Sequence, residues 1–544
     1  MKKTYLKIWV ADRVRSAAGL MRSVAEIHGL RKSRFAGLAL VTLLLTGASS
    51  CKKSFFNGVP TDQYTLGSLY NSATEVSLAT GALYGKPWFY FNCQYSMGLG
   101  DTYSGNSTGD ADVDMVQFQN MSITQSNQYI FKGWGSLYQV VANANSIIAN
   151  LPANSKLDSV TVTTAVGEAR FMRAAAYFYL VRLYGAVPIV EDISSNIFNY
   201  QLPRNITADV YKFIIADLQY AATRLPVTKA SPARVTSGSA KALLAKVYLT
   251  QKDYTNAAAK AWEVISNEGK YGYSLLPNFA DLFFTKNNNN AESLFALQWV
   301  ASNASGSYGT GNVTQAYCAA YGQGLTGGTD GWGSFRPSIN LQQEVETGDA
   351  RRKPTFMLQG DSFPELLQAS GGYVYPGNGL STTNASVKKY VVGDYADNST
   401  TGGVYFMSTS INTYMIRYSD VLLTYAEAVL GDNASTTDPT ALLEFNRVRA
   451  RAKLPAKTSL TIMDILHERR MEFAFEGQYW YDLLRLPQAT MINILANQER
   501  GTINTSGVIT SFKVSPTPDK LIMPIPQADI DNDPKLSEAP VPYY

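Results

Sequence analysis

Near the end of the chain Glu468, Glu472 and Glu476 recur every four residues, the densest set of potential acid–base groups in the sequence. Helical geometry places residues at that spacing on one face. Hydrolysis of a glycosidic bond needs two carboxyls on opposite sides of a sugar, about 5 to 9.5 Å apart, and successive turns of one helix do not face each other across a substrate. Arg469, Arg470, Arg485 and Asp482 lie close in sequence, so the expected role is a Glu–Arg network that pins the last helices, with no catalytic residue. Asp110, Asp112 and Asp114 alternate as in the start of a calcium loop. That loop requires Gly at its sixth position and Glu at its twelfth, where this chain has Met115 and Met121. Calcium is the only metal this spacing suggests; a polar loop without a cofactor is the expectation. The two histidines, His28 and His467, cannot build a His-rich zinc site. Cys93 and Cys318 leave pairing open, because sequence separation does not fix their distance. No glycine-rich phosphate loop in a strand–helix context is present.

The other chemistry available is that of flat rings. The chain has 34 Tyr, 23 Phe and 7 Trp in 544 residues, more Tyr than a core absorbs, since each buried hydroxyl needs a partner. Two polar stretches concentrate them. One carries Trp88, Asp101, Tyr103 and Asn106; the other carries Tyr308, Tyr321, Trp332 and Arg336 among many glycines. A sugar offers a C–H face to an aromatic plane and a hydroxyl rim to Asp, Asn or Arg. These eight residues are the candidate ligand-binding set. Trp88, followed by Phe89, Tyr90 and Phe91, reads first as a loop anchor. Trp332, between Gly331 and Gly333 with polar flanks, is expected to be exposed.

Helices must position these loops. Apolar spacing predicts helices over 131–151, 167–184 and 207–224, the last capped by Thr207, and a helix–turn–helix over 239–266 with the small and large residues of a tetratricopeptide repeat. A second pair is expected at 418–430 and 439–451. Between them, 86–127 and 301–410 are rich in Gly, Ser, Thr, Asn and Tyr and too long for idle connections. Length permits two to four domains or one helical array.

Charge excludes a nucleic-acid partner. Nine of the 47 basic residues fall in residues 1–50 against two acidic ones, leaving 38 basic and 41 acidic beyond. Residues 31–51 run from Arg31, Lys32 and Arg34 through the apolar stretch Phe35–Leu45 to small residues and Cys51. That order is a secretory leader, too short to span a bilayer, ending in a sequence that resembles the lipobox of bacterial lipoproteins. Residues 1–50 are therefore expected to be a signal peptide, with Met21 an alternative start, and Cys51 to be the lipidated first residue.

ERRMEFAFEGQYWYDLLRL from Glu468 and LIMPIPQADIDNDPKL from Leu521, with EARFMRAAAYFYLVRLYGAVPIV at 168–190, IRYSDVLLTYAEA at 416–428 and CKKSFFNGVPTDQ at 51–63, resemble the SusD/RagB family of outer-membrane lipoproteins. The resemblance spans nearly all of 51–544, divided as an N-terminal part 51–235 and a part 236–544 that includes the loop-rich 301–410. The tail SEAPVPYY departs from the family's usual ending. The resemblance implies a mainly α fold: a scaffold of about four tetratricopeptide-like helix pairs, with long irregular loops and minor β-strands. It implies a binding protein held to the outer membrane by lipid, facing the cell surface, that captures glycans for a SusC-type TonB-dependent transporter. Peptide capture within the same family and a surface glycoside hydrolase are the alternatives.

Overall fold

A computed structural model describes residues 70–544 except 155, 193–199, 303–308, 378 and 401–402. Cys51 and Tyr308 lie outside the described residues, as do the leader and the first mature segment.

The scaffold is helical. Its principal helices are α1 (Gln128–Asn154), α2 (Ser159–Tyr184), α3 (Thr207–Arg224), α4 (Ser237–Thr250), α5 (Tyr254–Ile265), α6 (Tyr418–Leu430), α7 (Pro439–Arg451), α8 (Ile462–Phe473) and α9 (Gln488–Asn497). From α1 to α7 each packs on the next, and α5 reaches α6 across the long insertion. The array is tetratricopeptide-like. The expected pairs at 239–266 and 418–451 are α4–α5 and α6–α7. α2 begins eight residues before the expected Gly167, because Asp158 accepts hydrogen bonds from the Val160 and Thr161 N–H groups and starts the helix there. Thr207 does not cap α3; the N-cap is Ile206, without a side-chain bond. α2 is buried on nearly all sides from Ala165 onward, which explains its apolar and small residues all round.

Short strands tie the loops to this array. Those that bear on the site are β1 (Ser107–Gly109), β2 (Ser293–Leu297), β3 (Phe335–Pro337), β4 (Val404–Tyr405), β5 (Ser408–Thr409) and β6 (Thr413–Arg417). β2 and β6 pair antiparallel, so the insertion leaves and re-enters the scaffold at one place. β1 pairs antiparallel with β3, Thr108 opposite Arg336, joining the two polar stretches. β4 and β5 form a hairpin. One apolar core runs from Tyr70 to Leu536, without a break at 235/236. Among the described residues no helix is long and apolar enough to cross a membrane.

The stretch 86–127 is not an irregular loop. Ala82–Tyr103 is a run of tight and wide helical turns, in which the Ser96 N–H donates to Phe91 O, five residues back. Its aromatics explain the difference: Phe91 meets Trp88 and Tyr95 edge-on, Trp88 and Phe91 both pack on Tyr179 of α2, and this burial overrides the polar composition around them.

Candidate functional site

The glutamates are structural, with partners other than those expected. α8 ends at Phe473, so Glu476 lies beyond it, and only Glu468 and Glu472 share the helix face. Glu468 pairs with Arg351 at 2.6 Å and Arg449 at 2.8 Å. Glu472 pairs with Arg417 at 2.7 Å, Arg351 at 3.2 Å and Arg451. Glu476 takes Arg417 at 2.7 Å and Lys389 at 3.0 Å. Of the neighbours expected to serve, Arg469 pairs instead with Asp420 and Asp482, Arg485 with Glu427 and Asp482, and Arg470 donates to Asn106 Oδ1. Burial alone would raise the Glu472 carboxyl, but Arg451, Arg417 and Arg351 hold it well below the usual carboxylate range. A carboxylate closed in on three guanidiniums has no face left for a substrate.

Asp110, Asp112 and Asp114 also have separate tasks. Asp110 pairs with Arg336 at 2.8 Å, Asp112 caps the helix Val113–Gln119, and Asp114 accepts from Gln117. No group of three metal-ligating side chains occurs among the described residues. Cys93 and Cys318 are both buried and are not joined in a disulfide. Burial pushes the Cys318 thiol up, and its Sγ lies 3.7 Å from Met97 Sδ.

Four of the eight candidate binding residues are wholly internal, which corrects their assignment. Trp88 is buried, its indole N–H donating to Leu83 O at 2.9 Å. The Tyr103 hydroxyl donates to Lys520 O at 2.7 Å. Asp101 accepts from Phe475 N and Gly477 N, both at 2.8 Å, and from Asn106 Nδ2 at 3.0 Å. Burial pushes the Asp101 carboxyl up to about 6 despite these bonds. Asn106 in turn receives Arg470 Nε at 2.8 Å. Asp101, Tyr103 and Asn106 lock the first stretch to the C-terminal part of the chain, whereas Trp88 packs on α2 and β2; all four are buried.

The second stretch behaves otherwise. Tyr321 is 66 % exposed. Trp332 is half-buried rather than open: its ring meets Tyr317 edge-on at 5.0 Å, a partner fifteen residues away in the chain that the polar flanks conceal. Gly331 and Gly333 hold φ of +107° and +56°, the left-handed region that a side chain would resist, and the fold brings Gly333 beside Tyr321. Arg336 is half-buried and paired with Asp110, so it braces the β1–β3 junction.

Phe406 and Tyr395, which residue spacing did not single out, complete the surface. Phe406 sits at the tip of the β4–β5 hairpin and is 58 % exposed; Tyr395 is 52 % exposed. Tyr395 and Tyr405 rings stand 5.6 Å apart at 49°. Gly403, at φ +83°, lies between them, where a Cβ would come within 3.2 Å of both rings. Asp330, two residues before Trp332, accepts from Met407 N at 3.0 Å and so ties the Tyr321–Trp332 loop to the hairpin. The signal that could have found Phe406 is a short aromatic-bearing segment, VYFM at 404–407, set in a Gly-, Ser- and Thr-rich run.

The comparisons with known proteins fit this architecture. Residues 248–544 match the family model described as SusD family. The chain belongs to the SusD family. Residues 90–249 match a second model, described as starch-binding associating with outer membrane; the two matches meet inside α4. A SusD-like protein of Bacteroides ovatus is 33% identical over 557 aligned positions, covering 94% of this chain and 98% of the relative. Among solved structures, one with a xylogluco-oligosaccharide is 34% identical, with a TM-score of 0.79 over 86% of this chain and 99% of its own. A laminarin-binding SusD-like protein is 25% identical, with a TM-score of 0.69 over 87% of this chain and 100% of its own.

Proposed function

We propose that this SusD-family protein captures oligosaccharides on its exposed aromatic loops and performs no catalysis. The observation that carries the reading is the grouping of Tyr321, Trp332, Phe406 and Tyr395 on two loops tied by Asp330 and seated on a rigid helical array. Exposed rings leave apolar area that a sugar face covers. Stacking with a few polar contacts gives micromolar to millimolar affinity, roughly 4 to 8 kcal/mol, suited to a ligand that must be handed on. Relatives that bind xylogluco-oligosaccharide and laminarin support neutral glycans as the ligand class. Lipid attachment at Cys51, an outer-membrane position facing the cell surface, and delivery to a SusC-type TonB-dependent transporter belong to the same proposal. They are supported by the leader pattern and the family. The hydrolase alternative loses its strongest candidates to the buried ion pairs around α8.

Titration of the purified protein with xyloglucan, laminarin and starch oligosaccharides tests the ligand class. Saturable binding of at least one, weakened by Tyr321→Ala, is the expected result. Binding of peptides with no response to any glycan would overturn it. Replacing Cys51 with Ala should release the protein from the membrane fraction; retention through an alkaline carbonate wash would refute the lipid anchor.

A further inference from the structure

A cleft of about 330 Å³ opens between α8, α9 and the turn that follows β3, on elements distinct from the aromatic loops. Its volume is in the range of small-molecule sites. Part of the lining is apolar, Met463 and Leu466 of α8 and Ile494 of α9, and Met463 is 48 % exposed. Polar lining comes from Glu344, His467, Arg470 and Asn493. His467 lies between two carboxylates, Nδ1 3.5 Å from Glu344 Oε2 and Nε2 3.4 Å from Glu346 Oε1. Neither contact saturates it. His467 Nε2 and Asn340 Oδ1, both on residues that line the cleft, are buried without a hydrogen-bond partner among the described residues. Polar groups left unpaired in the interior are unfavourable, so the polar lining beside them favours a ligand that brings both donors and acceptors.

The charge pattern selects the ligand. Glu344 and Arg470 both line the cleft with opposite charges, so neither an anion nor a cation is favoured there. Amide, imidazole, carboxylate and guanidinium groups together offer both donors and acceptors. A hydroxyl is the group that answers both, and the Met463–Ile494 side suits the C–H face of a ring. We propose that this cleft binds one neutral sugar unit, with hydroxyls on Glu344, His467 and Asn493 and its C–H face on Met463 and Ile494. The unit is either a free monosaccharide or the end residue of a glycan. This site does not depend on the aromatic loops being a ligand face.

The experiment follows the Met463 methyl by NMR in the full chain carrying labelled methionine, with Met463→Leu to assign the signal. Probes are D-glucose, D-xylose, D-galactose, a xylogluco-oligosaccharide and, as charged controls, acetate and lysine. A saturable shift of the Met463 signal with a neutral sugar, and none with the controls, is expected. A response to the oligosaccharide alone assigns the cleft to a glycan end; a response to monosaccharides assigns it to free sugar. Glu344 and Asn493 are exposed, so Glu344→Ala and Asn493→Leu should keep the melting temperature and weaken the response at least about tenfold, the worth of one charge-assisted bond. Tyr321→Ala should leave it unchanged. Absence of a saturable Met463 shift with every sugar, or a shift that survives both cleft variants, would overturn the proposal. Loss of oligosaccharide binding in Tyr321→Ala with an intact Met463 response separates this site from the aromatic face.

Discussion

Residues 84–106 and 319–336 are alike in composition, each a polar stretch studded with aromatic rings, yet they have opposite fates. In the first, Trp88, Phe91 and Tyr95 are adjacent enough to pack on one another and on α2, and helical turns satisfy the backbone. In the second, glycines separate the rings and hold left-handed backbone, so Tyr321 projects outward while Trp332 keeps only one edge on Tyr317. Aromatic content thus marks a binding surface only where the rings lack neighbours to bury them. Ring density favours the core; ring isolation in a glycine-rich turn favours the surface.

The contrast is broken most severely on the buried side. Trp88→Ala should cost about 3–5 kcal/mol of stability, read by denaturant unfolding, while ligand affinity per folded molecule stays unchanged. Glu472→Gln, which leaves Arg417, Arg351 and Arg451 facing a neutral amide, should cost a similar 3–5 kcal/mol and also spare affinity. A stable Trp88→Ala that loses ligand would place the first stretch back at the site.

On the exposed side the effects reverse. Tyr321→Ala should lower oligosaccharide affinity by at least about 2 kcal/mol, around thirtyfold, with no change in melting temperature. Trp332→Ala, half anchor and half surface, should lower both; calorimetry with parallel titration would distinguish it from Tyr321→Ala. An affinity unchanged by either would remove the Tyr321–Trp332 loop from the site.

The smallest expected effect concerns Asp101. Its carboxyl titrates near 6 when folded against an ordinary value of 3.8, so the folded state holds the proton more tightly. Its contribution to stability therefore falls as pH rises between about 4 and 6. Glu472 works in the opposite sense: held below the ordinary carboxylate range, it stabilises above its unfolded pKa and loses that stabilisation as pH falls through the folded value. Asp101→Asn removes the opposing contribution, so the melting temperature should rise more, or fall less, from about pH 4 to pH 6 than in the parent protein. Identical pH profiles would show that folding leaves the Asp101 carboxyl unshifted.

Much of the fold is legible in the chain. The limits of α6 and α7 follow from apolar period and length, because those signals are local; those of α3 agree as well, although Thr207 is not its cap. The Glu–Arg network was legible as a type of interaction but not as a set of pairs. Glu472 takes its partners from 351, 417 and 451, residues brought near only by the packing of α6, α7 and the insertion. The candidate surface was legible in region and not in membership. Phe406 and Tyr395 join Tyr321 through Asp330, a contact between loops more than seventy residues apart. Asp101 and Asn106 became interior because β1 pairs with β3 and draws that segment under the C-terminal helices.

The sequence by itself determined the helical repeat scaffold, the family and the presence of glycine-rich aromatic loops, since periodicity, motif order and composition are properties of neighbouring residues. Only the tertiary structure decided which rings are covered. Burial depends on what the rest of the chain lays over a side chain, and for Trp88 that is α2 and β2, whereas for Tyr321 no such layer exists among the described residues.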